Sequence, residues 1–263
     1  MERNLKLILR YDGSSYHGWQ MQDNAITVQQ CVSEAIERIL SKKATIYGCS
    51  RTDSGVHANT FCCNFKTDTD KNCEAIRKGI DAVLPQSIAV LECADMPLDF
   101  NARFSCKGKE YIYKIWNSNV KNPFLTNYAL HYPYHLDAEM LDREVKDFIG
   151  THDFSAFCAA GATTLSNVRT VTACSVKRDG DLITFSVTGD GFLYNMVRIM
   201  VGTAIYIGRG KIPQGSIPEI IKSKDRTKAG ITAKPHGLYL NRVYYSDEFM
   251  KKGDENERKA SET

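Results

Sequence analysis

Val171-Thr-Ala-Cys-Ser-Val-Lys177, followed by Asp179-Gly180 and then Leu182-Ile-Thr-Phe-Ser-Val187, is the stretch on which the fold class turns. Both runs favour strand, and an Asp-Gly between them is a hairpin signal. A hairpin is an antiparallel pair made without a crossover helix. Working outward, similar runs recur. Leu5, Leu7, Leu9 and Tyr11 share one face of a run that stops at Asp12-Gly13, and Phe61, Cys63 and Phe65 share another. Ser87 to Cys93, Lys107 to Trp116 and Gly237 to Tyr245 complete the predicted strands.

Helical spacing marks Val28 to Leu40, with Thr27 and Gln30 placed for a capping box. A second helix is predicted over Asp70 to Leu84, ahead of Pro85, and a third opens at Asp137 and stops at Gly150. An apolar helix from Phe192 to Ile207 and a short one near Ser216 to Lys224 follow. Strands repeatedly neighbour one another in the chain. The pattern therefore predicts α+β architecture, with largely antiparallel sheet flanked by helices, rather than a doubly wound α/β sheet. Each half carries strands and two helices, so two subdomains are expected, 1–105 and 106–245, with a disordered charged tail at 246–263.

A chain of 263 residues with 43% hydrophobic and 25% charged side chains can bury a core without disulfides or a structural metal. Its 34 bases exceed its 31 acids by 3, and setting aside the tail leaves 30 against 25, a balance that suits an anionic partner without identifying one. Nine cysteines, with Cys62 and Cys63 adjacent, and an N-terminus lacking a secretory apolar region point to a reducing, cytoplasmic setting. No cysteines have zinc-finger spacing, and Pro133 spoils the helix that His131 and His135 would need as a metal pair, so no metal is expected. The run from Phe192 to Ile207 contains Asn195 and Arg198 and falls short of the roughly 20 residues of a membrane span. It reads as a buried helix, and no membrane partner is expected.

The densest group of chemically capable residues is Gly48-Cys-Ser-Arg51-Thr52-Asp53-Ser54-Gly55-Val56-His57-Ala58. A loop there can present Arg51, Asp53 and His57 together; spacing alone equally fits an ordinary polar turn. Arg198 lies among apolar neighbours, where a desolvated cation has to meet a partner. If Asp53 is that partner, the guanidinium keeps the carboxylate ionised, as a nucleophile or base must be. The alternative is a structural bridge to another acid, or an arginine reaching out to water. In Lys107-Gly-Lys109-Glu-Tyr111-Ile-Tyr113-Lys114-Ile-Trp116, bases interleave with aromatics, which fits a nucleic-acid platform and fits a half-exposed strand as well.

Several motifs recur in one order: Tyr11-Asp12-Gly13, Tyr16-His-Gly18-Trp19-Gln20, Arg51-Thr52-Asp53 through Ala58, Phe100-Asn-Ala102-Arg103-Phe104-Ser105 and Lys109-Glu-Tyr111-Ile-Tyr113. His152-Asp153-Phe154, Val168-Arg169, Asn195-Met196-Val197-Arg198 and Gly237-Leu238-Tyr239-Leu240 continue the series. Together they resemble the tRNA pseudouridine synthase A family. The resemblance implies a pseudouridine synthase fold with its active cleft between two subdomains. It also implies conversion of uridine to pseudouridine at positions 38, 39 and/or 40 of the tRNA anticodon arm, without a cofactor or metal, by a homodimer.

The same resemblance implies that Asp53 is the essential carboxylate, whether it attacks ribose C1′, attacks uracil C6 or supports a glycal route. Arg198 would pair with Asp53, and Tyr111 would pack against the target uracil. Arg51 would enter the stem where the flipped base had been, and Leu238 would line the pocket. Ser50 and Ser54 stand where the family usually has Gly and Ala. A positive φ at Ser50 would strain the loop.

Overall fold

The structure, a computed structural model, describes residues 1–161 and 164–246. From residue 247 onward the expected tail lies outside the described residues. In chain order the elements are β1 (Arg3–Tyr11), α1 (Val28–Leu40), β2 (Tyr47–Gly48), β3 (His57–Thr67), α2 (Cys73–Val83), β4 (Ile88–Met96), β5 (Gly108–Trp116) and β6 (Leu130–His131). There follow α3 (Ala138–Val145), β7 (Gly150–Asp153), β8 (Val168–Asp179), β9 (Leu182–Gly189), α4 (Met196–Gly208), α5 (Ile217–Ser223) and β10 (Leu238–Tyr244). The architecture is α+β, with largely antiparallel strands and flanking helices, as the hairpin reading predicts.

Two compact units divide the chain: Met1–Cys106 together with Tyr239–Tyr245, and Lys107–Leu238. In the first unit the strand order is β4-β1-β3-β10, and β2 also pairs with β3. The antiparallel register sets Leu5 opposite Phe65, Leu7 opposite Cys63 and Leu9 opposite Phe61. All six side chains are fully buried. Each large apolar side chain among them contributes about 1.5–3 kcal/mol of burial. The alternation seen in the sequence is therefore the core face of this sheet.

Capping sets where the helices begin. Thr27 accepts from the Gln30 N–H at 3.3 Å, but the Gln30 amide reaches Glu34 Oε1 at 2.9 Å, so only half of the expected capping box forms. Helix α2 begins at Cys73, later than its periodicity implies, because Asn72 Oδ1 accepts from Ala75 N–H at 2.8 Å and fixes the first turn there.

The second unit has strand order β5-β9-β8-β7, all antiparallel, with β6 parallel to β5. Asp179 pairs with Leu182, so the hairpin loop is Gly180-Asp181, one residue later than Asp179-Gly180, and Gly180 supplies the positive φ of 55°. Gly150 opens β7 instead of stopping α3, because the helix has already tightened into a 3-10 turn at Lys146–Phe148. Helix α4 starts at Met196, four residues after Phe192, since Asn195 adopts a left-handed backbone that no helix continues. Ten of its 13 residues are buried, as expected of a helix apolar on all sides. Among the described residues no helix is long and apolar enough to cross a membrane.

Strand β10 runs parallel to β3, with Tyr239 opposite His57 and Leu240 opposite Ala58. Alternation in a sequence is the same for either strand direction, so this pairing has no one-dimensional signature.

Candidate active site

In the first unit the candidate site is the segment joining β2 to β3. It is held by a bed of buried contacts from the end of β1 and the residues after it. Tyr11 Oη and Thr52 Oγ1 are 2.8 Å apart in a hydrogen bond. Trp19 N–H donates to the Thr52 carbonyl at 3.1 Å, and Gly55 N–H donates to the Tyr16 carbonyl at 3.2 Å. Within the loop, Val56 N–H donates to the Asp53 carbonyl at 3.1 Å. Trp19 also stacks on Phe61 of β3, with ring centroids 4.0 Å apart.

Backbone lies on backbone here. A Cβ at Gly18, where φ is +82°, would collide with the Thr52 carbonyl oxygen, and a Cβ at Gly13 would collide with that of Val56. The glycines of two sequence motifs are thus explained by how closely the Asp53 loop approaches them.

Thr52 is buried, Asp53 is half-buried and Arg51 is exposed. The loop presents a carboxylate beside a cation, whereas His57 lies within β3. It is 1% exposed at the start of β3. Its Nδ1 lies 3.0 Å from the Gly13 N–H, and its ring stacks on Tyr239 at 4.6 Å. It is already part of the sheet, paired beside β10. Among the described residues the non-glycine ones with positive φ are Ser41, Asn195 and Lys224, so the Ser50 side chain introduces no left-handed strain.

In the second unit β5 carries Tyr111, 6% exposed, and Tyr113, fully buried. Tyr111 meets Phe192 edge to face, with centroids 5.3 Å apart. Tyr113 donates its hydroxyl to the Lys234 carbonyl at 2.7 Å. Burial pushes the Tyr113 phenol up in pKa while the Arg198 guanidinium pulls it the other way. Both side chains are buried, so β5 does not display them as an open stacking platform. Lys114 is half-buried, and burial lowers its pKa.

Arg198 sits in the first turn of α4 and is half-buried, as its apolar neighbours imply. Its Nε donates to the Ala233 carbonyl at 2.7 Å and its Nη1 donates to Asn195 Oδ1 at 2.6 Å. Ala233 N–H returns a bond to the Arg198 carbonyl at 3.1 Å. Leu238, 6% exposed, follows Gly237, which approaches the Tyr113 ring too closely for a Cβ. Arg51 and Asp53 thus belong to the first unit, whereas Tyr111, Arg198 and Leu238 belong to the second.

Sequence reasoning missed the support of both groups. Tyr11 and Thr52 carry no signal beyond their motifs. Asn195 did leave a trace, as an amide in an apolar run one helical turn before an arginine. Among the described residues no group of three or more His, Cys, Asp or Glu side chains is arranged to hold a metal ion.

A family model described as tRNA pseudouridine synthase matches residues 7–105 and 145–246. The chain is 45% identical over 243 residues to tRNA pseudouridine synthase A of Thermoanaerobacter sp. (strain X514) and 44% identical to that of Acetivibrio thermocellus. It is 42% identical to tRNA pseudouridine synthase A 2 of Clostridium perfringens. Each of these alignments covers 92% of this chain and 100% of the relative.

Proposed function

We propose that this chain, which belongs to the tRNA pseudouridine synthase family, isomerises uridine 38, 39 and/or 40 in the anticodon arm of tRNA by an Asp53-dependent route. Isomerisation breaks the bond from ribose C1′ to uracil N1, turns the base and closes a bond from C1′ to C5. The proton lost from C5 is matched by one gained at N1, so the reaction needs no oxidant, no cofactor and no second substrate. Reaching C1′ inside a stem requires the nucleotide to be everted.

Asp53 supplies the ionised carboxylate that faces the everted nucleotide, and attack on C1′, attack on C6 and support of a glycal all require that form. Arg198 supplies a cation to the same reaction. Tyr111 packs against the uracil, Leu238 lines the pocket, and Arg51, exposed beside Asp53, enters the stem where the base had been. The enzyme works in the cytoplasm as a homodimer on tRNA.

The observation that carries the Asp53 assignment is the loop itself. Its carboxylate is half-exposed, while Thr52 beside it is buried and tied by both side chain and backbone. An ordinary polar turn needs no such bed. Rival readings, an RNA binder without catalysis or a hydrolase of the N-glycosidic bond, predict different products. The test is incubation with an unmodified tRNA transcript, followed by mapping of pseudouridine. Pseudouridine at 38–40, absent when those uridines are replaced by cytidine, is the expected result. Free uracil as the main product would point to hydrolysis, and pseudouridine only at other positions would overturn the anticodon assignment. Sedimentation of the free protein tests the dimer.

A further inference from the structure

We infer that Asn195 is a positioning residue for Arg198, an uncharged acceptor that orients the guanidinium without discharging it. The inference rests on the reading that Arg198 serves the isomerisation. Asn195 stands at the N-cap of α4, where an asparagine ordinarily adopts extended backbone and gives its side-chain oxygen to an amide of the first helical turn. Here it does neither. Its backbone is left-handed, with φ 59° and ψ 9°, and its side chain makes no capping bond. That oxygen instead accepts from Arg198 Nη1 at 2.6 Å. Asparagine is one of the few residues other than glycine that tolerate this backbone.

A second restraint completes the geometry. Arg198 Nε donates to the Ala233 carbonyl at 2.7 Å, and Ala233 N–H donates to the Arg198 carbonyl at 3.1 Å, so the side chain is tied to the segment that its own backbone anchors. Nε and Nη1 are separate corners of one rigid plane, and fixing both fixes the direction in which the rest of the fork faces. These two acceptors, an amide oxygen and a backbone carbonyl, are neutral, so neither offsets the charge of the guanidinium as an aspartate at position 195 would.

The test is a double-mutant cycle with tRNA turnover and thermal unfolding as readouts. Asn195→Gly keeps the left-handed backbone and removes the acceptor, so the fold should be retained. kcat should fall about tenfold, with KM for tRNA within twofold, because the cation is misdirected rather than lost. Arg198→Lys, which lacks the fork, should fall at least as far. Adding Asn195→Gly to it should cost nothing further, since the two residues act as one. Asn195→Asp should also lower kcat. Full activity in a folded Asn195→Gly enzyme, or a further tenfold loss when it is combined with Arg198→Lys, overturns the inference. Full activity in Arg198→Lys overturns instead the reading that Arg198 serves the reaction.

Discussion

The hydroxyl of Tyr11, the last residue of β1, lies 2.8 Å from Thr52 Oγ1, on the residue that immediately precedes Asp53. A strand that belongs to the core of the first unit thereby reaches to the root of the candidate catalytic loop. The geometry links packing directly to chemistry, because anything that shifts β1 shifts Thr52.

Removing that hydroxyl tests the link. Tyr11→Phe should lower stability by about 1–2 kcal/mol, since a buried hydrogen bond is lost and the Thr52 hydroxyl is left short of a partner. kcat should fall roughly tenfold with tRNA affinity unchanged. Urea unfolding and steady-state kinetics read the two effects separately. A loss of stability with no loss of kcat would make Tyr11 a core residue only.

Glycine at position 18 should be required for two reasons at once, conformation and contact. Gly18→Ala places a methyl group against the Thr52 carbonyl at a φ of +82°, whereas Gly210→Ala, at φ +65°, meets open space. The second should cost about 1–2 kcal/mol from backbone strain alone. The first should cost more in unfolding free energy and lower kcat as well. Equal costs at the two sites would mean that the Asp53 loop yields to the added carbon.

Acid should selectively weaken the start of α3. The Asp137 carboxylate accepts from the Met140 and Glu139 N–H groups, both at 3.0 Å, and these bonds hold its pKa below the usual carboxylate value. A folded pKa lower than the unfolded one stabilises the protein above the unfolded value, about 3.9, and that stability is lost as pH falls through the folded value. Asp137→Ala should therefore lower the unfolding midpoint at pH 7, and the gap from the parent should close towards pH 2. A gap that persists undiminished in acid would show that the helix start depends on something other than the charged cap.

Binding to tRNA should weaken steeply with salt. For as few as four phosphate contacts, affinity should drop about 10²-fold between 50 and 200 mM monovalent salt. Fluorescence anisotropy with a labelled transcript measures this, and a flat response would contradict recognition through the phosphate backbone.

Much of the fold was legible in one dimension because the relevant signals are local. The hairpin of β8 and β9, the face shared by Phe61, Cys63 and Phe65, and the Thr27 cap are each written within one short stretch of chain. What was not legible depends on distant chain. The parallel pairing of β10 with β3 joins residues more than a hundred positions apart. The premature end of α3 reflects a 3-10 turn at Lys146–Phe148, and the delayed start of α4 the left-handed backbone of Asn195, local conformations that periodicity averages away. At the site, Asp53 and Arg198 stood out because charge is conspicuous among apolar or glycine-rich neighbours. Tyr11 and Thr52 did not, because a hydrogen bond between uncharged side chains has no sequence signature.

The most direct measurement is pseudouridine formation in an unmodified tRNA transcript by the parent and by Asp53→Asn, with both proteins shown to unfold at the same temperature. Asparagine preserves shape and removes the ionised carboxylate, so product formation should fall by more than about 10³-fold while tRNA is still bound. Pseudouridine made by Asp53→Asn at a rate near that of the parent would contradict the account.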